Sequence, residues 1–144
     1  MRRRVPFLLY RTAQALHALA NEMLATIGLT ARQVGILTLI TEREPMTQTA
    51  LGSELEIDRT TMVELLDGLE ERGLVERRRH ADDRRACIIH PTRAGAAAKA
   101  KAIEILDQQQ ATFLSPLSND EQRVLADMLT RLYVGRAQSK ARPN

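Results

Sequence analysis

Between Arg72 and Arg85 the sequence RGLVERRRHADDRR holds six arginines, five of which (Arg77, Arg78, Arg79, Arg84 and Arg85) surround the short run HADD. A guanidinium is planar, permanently charged and forked, so it fits a phosphate or the O6/N7 edge of guanine. Gathered where the chain should turn, such groups suit a polyanion. Upstream, DRTTMVE supplies a second set. Asp58 can cap a helix whose first residues, Arg59, Thr60 and Thr61, are followed one turn later by Glu64. Arginine can pair with guanine, threonine methyls can meet the thymine methyl, and the free N–H groups of a helix start attract phosphate. Thr47 and Gln48 open a preceding helix and are similarly suited to phosphate.

Taken singly, each set has a plainer reading: RTT as an ordinary capped helix start, and the arginine run as a solvated hairpin. Placed in succession, the two favour nucleic acid. A narrow hairpin tip carrying Arg84 or Arg85 can enter a minor groove, whose negative potential attracts guanidinium. Asp83 can hold a neighbouring arginine fork in one direction. Arg77 and Arg79 alternate along a strand, so they should share a face and could track the backbone.

The elements that would position these groups follow from periodicity and stop signals. Leu8, Leu9, Thr12, Leu16, Leu19, Met23 and Ile27 recur at helical spacing from Val5 to Thr26, and Gly28 supplies the stop. Thr30 should cap a second helix, Ala31 to about Glu42, with Val34, Leu37 and Ile40 or Leu39 inward; Pro45 ends that segment. Thr47 caps a short third helix through Glu56, with Ala50, Leu51 and Leu55 on one face. The fourth helix, from Arg59, should bury Met62, Val63, Leu65, Leu66 and Leu69 and stop at Gly73. The period then changes. Leu74–Arg79 and Arg84–His90 read as strands of a hairpin turning at HADD. Thr92 caps a fifth helix, Arg93 to about Leu114. Pro116 breaks it, and a last helix runs from Ser118 or Asn119 to roughly Gly135, before a frayed polar tail. The order short helix, tight connection, helix, hairpin is a helix-turn-helix followed by a wing.

Composition bounds the alternatives. The chain has 144 residues, a net charge of +3, three lysines beside many arginines, 3% aromatics and no Trp. That length suits one domain, and a core of Leu, Ile, Val, Ala and Met suits packed helices. The single cysteine, Cys87, excludes an intrachain disulfide framework and fits a reducing compartment. The start, MRRRVPFLLYRTAQALHALA, could be misread as a twin-arginine export signal, but Arg11, Gln14 and His17 interrupt its apolar run. No run approaches the roughly 20 apolar residues that span a bilayer, and a cytoplasmic location is expected. Catalysis is disfavoured: Cys87 and His90 lie three apart on a strand, hence on opposite faces, and no phosphate-binding Gly-rich loop or H-E-x-x-H occurs. His17, His80, Cys87 and His90 are too scattered for a metal centre, and no metal or cofactor is expected. Cys87 itself reads as a small buried apolar side chain rather than a redox sensor.

The stretches LTARQVGILTLI and MTQTALGSELEIDRTTMVELLDGLEERGLVERRRHADDRRACIIHPTRAG resemble the MarR family of bacterial transcriptional regulators. The likeness rests on IDRTTMVELLDGLEERGLVERR, then DDRR, then T-x-x-G, and helix order extends it over nearly the whole chain. It implies a mainly α single domain with a β-hairpin wing: a winged helix-turn-helix at 30–92, dimerisation helices at 5–29 and 93–135, and a tail at 136–144. It also implies a homodimer on a pseudo-palindromic double-stranded operator. The wing Asp-x-Arg motif falls on Asp83 and Arg85. Many members repress their own or a neighbouring operon until a small phenolic or anionic effector binds, here beside Tyr10, Leu16 and His17. A winged helix for nonspecific DNA binding or protein dimerisation, without ligand response, is the alternative. Two departures stand out. Gly68 sits where relatives often carry a long basic residue, and Pro91 replaces the usual leucine before Thr92.

Overall fold

The computed structural model describes residues 4–43, 45–79 and 87–140. The elements are α1 (Val5–Ala25), α2 (Ala31–Glu42), β1 (Met46–Thr47), α3 (Gln48–Glu54), α4 (Arg59–Glu71), β2 (Val75–Arg79), β3 (Cys87–Pro91), α5 (Arg93–Leu114) and α6 (Asn119–Lys140). They form two compact units that divide after Gln109.

In the first unit, side-chain caps set the helix starts. Thr30 and Gln33 form a reciprocal capping box on α2, whose first N–H, that of Ala31, donates to Asn21 of α1. Thr92 Oγ accepts from the Gly95 N–H and donates to the Gly73 carbonyl, tying the start of α5 to the end of α4. The sheet is antiparallel with order β1-β3-β2. Two residues of β1 are enough to pair Met46 with Ile89 and Thr47 with Ile88, a strand that the sequence reading missed. Pro91 ends β3 opposite Val75, so the departure from leucine is accommodated where the ladder stops.

The core joins Leu24, Val34, Ile36, Leu37, Ile40, Leu51, Met62, Leu66, Leu69, Val75, Ile89 and Ala102. Val63, expected inside, is instead exposed: Met62, Leu66 and Leu69 form the buried stripe of α4, and Val63 lies off it. On α1 only Ala20 and Leu24 are buried, while Phe7, Leu8, Leu9, Leu16 and Leu19 of its apolar repeat remain exposed. In the second unit, Ser118 and Glu121 cap α6 reciprocally, and Gln122 Nε2 donates to the Leu114 and Leu117 carbonyls across the turn. The helix continues through Gly135 to Lys140 rather than fraying there, and Val124, Met128, Leu129, Leu132 and Tyr133 are exposed along it.

Two glycines permit the junction between α4, β2 and α5. Gly73 turns the chain at φ 66°. Gly95 lets the α5 backbone approach Leu74 so closely that a Cβ would lie 1.9 Å from the Leu74 carbonyl oxygen. Gly95→Ala should therefore destabilise by about 3 kcal/mol or more, at the top of the overpacking range. Gly73→Ala, with open space around it, should cost only the left-handed backbone penalty of about 1–2 kcal/mol. Urea unfolding at one protein concentration compares them; equal costs would mean that the α5 approach is not tight.

Candidate nucleic-acid interface

The helix-turn-helix is built from α3, residues 55–57 and α4. Thr47 Oγ accepts from the Ala50 N–H and so starts α3 on the residue at which β1 ends. Glu56 takes the turn with φ 52°, and the Ile57 N–H returns to the Gly52 carbonyl at 2.9 Å, which keeps the connection tight. Asp58 then caps α4, its carboxylate accepting from the Thr61 N–H at 3.0 Å and the Thr61 hydroxyl at 2.7 Å. The backbone bond from Thr61, followed by its hydroxyl bond, holds the Asp58 carboxyl below its ordinary pKa.

This frame brings three of the sequence-derived residues together. Thr47, Gln48 and Arg59 line one open groove of about 1060 Å³ along α3 and the start of α4. Thr60 and Glu64 are exposed on α4, whereas Thr61 is half-buried, with its hydroxyl committed to Asp58. Arg79 is exposed at the end of β2. Asp83, Arg84 and Arg85 lie outside the described residues. Tyr10, Leu16 and His17 are exposed on α1, and Tyr10 Oη accepts from Gln14. Cys87 corrects the expectation of a buried thiol. It shares the face of Ile89, but as the first residue of β3 it lies beyond the core, exposed at the rim of the groove.

Arg77 is the second correction. Alternation placed it with Arg79 on one exposed face, yet its guanidinium turns back onto α4, donating to Asp67 at 2.5 Å and to Glu70. Glu70 also accepts the Arg77 backbone N–H at 3.2 Å. Burial disfavours the arginine's charge, but the bonds to Asp67 and Glu70 outweigh it and raise its pKa. The sequence signal was present in Asp67 and Glu70, two acids one turn apart on a helix whose next strand carries Arg77. Arg78 pairs with Glu76, and Arg72 donates to the Ile27 and Gly28 carbonyls beyond α1.

A short helix, a tight turn, a second helix with a polar outer face and an antiparallel hairpin behind it define a winged helix-turn-helix DNA-binding domain. The sequence pattern of the MarR family matches residues 29–87. A putative transcriptional regulatory protein for the hcr operon of Thauera aromatica is 32% identical over 83% of this chain and 72% of its own length. A mutant MarR from E. coli complexed with operator DNA superposes with TM-score 0.78 at 26% identity, over 89% of this chain and 92% of that one. PcaV from Streptomyces coelicolor in complex with its natural ligand superposes with TM-score 0.77 at 26% identity, over 92% and 93%. The chain belongs to the MarR family of transcriptional regulators. Its work is gene regulation, not catalysis, and no helix among the described residues is long and apolar enough to cross a membrane.

The cap has a pH signature. Because folding lowers the Asp58 pKa, its contribution is present above the unfolded pKa and is lost as pH falls through the native value. Asn at 58 can still cap but has no charge to lose. The stability gap between the native protein and Asp58→Asn should thus be open at pH 7 and close on acidification below the usual carboxylate range. Urea midpoints from pH 7 to pH 3 check this; a gap that stayed constant would remove the charge from the cap's role.

Proposed function

We propose that the protein is a cytoplasmic dimeric repressor of its own or a neighbouring operon, bound to a pseudo-palindromic operator and released by a small phenolic or anionic effector. The observation that carries the reading is the groove that gathers Thr47, Gln48 and Arg59 beside the exposed face of α4. In this reading Arg59, Thr60 and Glu64 meet base edges in the major groove, with Thr61 contributing its methyl. Thr47, Gln48 and Arg79 hold phosphates, and the wing residues Arg84 and Arg85, oriented by Asp83, reach the minor groove.

The dimer is supported by the apolar residues left uncovered on α1 and, separately, on α6, which in a soluble regulator require a partner surface. Paired copies would present two recognition helices to two half-sites. Effector response is supported by the PcaV relative, solved with its natural ligand. Tyr10, Leu16 and His17 are the side chains proposed to face such a molecule.

Fluorescence anisotropy on the upstream intergenic duplex and on a scrambled duplex, over a salt series, tests the reading. A preference of about a thousandfold or more for the native fragment is expected. Arg59→Ala should lower operator affinity by about 10- to 100-fold, the weight of a bidentate base contact. Sedimentation should give twice the 16.2 kDa chain mass. Equal, weak binding to both duplexes would favour the nonspecific winged-helix alternative, and no binding at low salt would overturn the DNA reading.

A further inference from the structure

The six arginines between Arg72 and Arg85 do not form one uniform basic patch. Among the described ones, Arg77 is drawn furthest inward, with 23% of its side chain exposed. It joins two elements that no other described side chain bridges by an ion pair: β2, the first strand of the wing, and α4, the recognition helix. Three bonds meet there. One guanidinium nitrogen goes to Asp67, the other to Glu70, and the Arg77 N–H to the second Glu70 oxygen. Backbone and side chain of one strand residue are therefore both held by the same helix, which fixes the strand in direction as well as position.

The electrostatic side matters equally. Glu64, Asp67 and Glu71 lie along the exposed side of α4, three carboxylates on the helix that must approach a polyanion. Arg77, shared between Asp67 and Glu70, offsets half of their combined charge. Without it, the second half of the recognition helix would present still more negative charge toward phosphate.

We propose that Arg77 is a positioning residue for DNA recognition. Clamped between Asp67 and Glu70, it sets the angle of the wing strand on the recognition helix and offsets part of their charge, and it touches no phosphate itself. This rests on the operator-binding reading above. A planar fork gripped by two carboxylates cannot be replaced by an ammonium, whereas a phosphate contact tolerates lysine as a point charge.

Arg77→Lys and the milder Glu70→Gln, each checked for a native-like unfolding midpoint, would be measured on operator and scrambled duplexes over a salt series. Hydrogen exchange of β2 amides would be followed in the free proteins. Arg77→Lys should reduce the operator-to-scrambled preference about tenfold and leave the slope of log K against log salt unchanged. Both variants should speed exchange at the Arg77 amide. Loss of a phosphate contact would instead lower the slope by about one unit. That result, native-like operator preference in Arg77→Lys, or unchanged exchange in both variants would overturn the proposal. If the native protein bound no operator, the regulator reading would fall and the proposed role in recognition with it, while the exchange data would still decide whether the clamp orders the wing strand.

Discussion

Three consecutive residues, Arg72, Gly73 and Leu74, hold the DNA-binding region in one arrangement. Arg72 satisfies the carbonyls of Ile27 and Gly28 just beyond α1. Gly73 turns the chain and offers its carbonyl to Thr92, the residue that caps α5. The Leu74 carbonyl accepts the Thr92 N–H and lies against Gly95, while the Leu74 side chain enters the core. These bonds tie four elements to one short stretch, so none of the four can shift alone without breaking one of them. The turn that follows α1 is thus tied to the end of α4 by two hydrogen bonds.

From that junction the charges of the hairpin separate into two kinds. Arg72, Arg77 and Arg78 are engaged within the protein, by carbonyls, by the α4 acids and by Glu76 respectively. Arg79 remains exposed at the strand end. Among the described arginines the basic run thus helps to build the scaffold, while Arg79 leaves its charge in solvent. For Arg77 the pairing has a clear cause, since a guanidinium drawn inward is costly unless paired; Arg72 and Arg78 are exposed and pair at little cost or gain.

Helix starts were legible from the sequence because each is encoded locally. Thr30, Thr47, Asp58 and Thr92 each cap as their neighbours predict, and Gly28 and Gly73 both adopt the left-handed backbone at the two stops read from them. What was missed depends on distant partners. β1 is two residues long and exists only because β3 lies beside it, so no periodicity could betray it. Cys87 looked like a core residue by type, but its depth depends on where the strand leaves the core. Arg77 was read by strand alternation, which gives a face without saying what packs against it. Of the candidate site, Thr47, Gln48 and Arg59 converge as residue chemistry suggested, since both helix starts are fixed by their caps.

Periodicity also cannot distinguish a core from an interface, and α1 shows why. Its apolar repeat is as regular as that of α4, yet α4 buries Met62, Leu66 and Leu69 within the chain while α1 buries only Ala20 and Leu24. The burial is concentrated at the end of α1 nearest the Arg72 contact; toward its start Val5, Phe7, Leu8 and Leu9 meet solvent in the single chain. Each such side chain gains roughly 1.5–3 kcal/mol on passing from full exposure to full burial. These are already about half covered, so covering the stretch would add an amount comparable to a fair fraction of a domain's net stability. The other end of α1 leads into the turn whose Ile27 and Gly28 carbonyls accept from Arg72, the residue that follows α4.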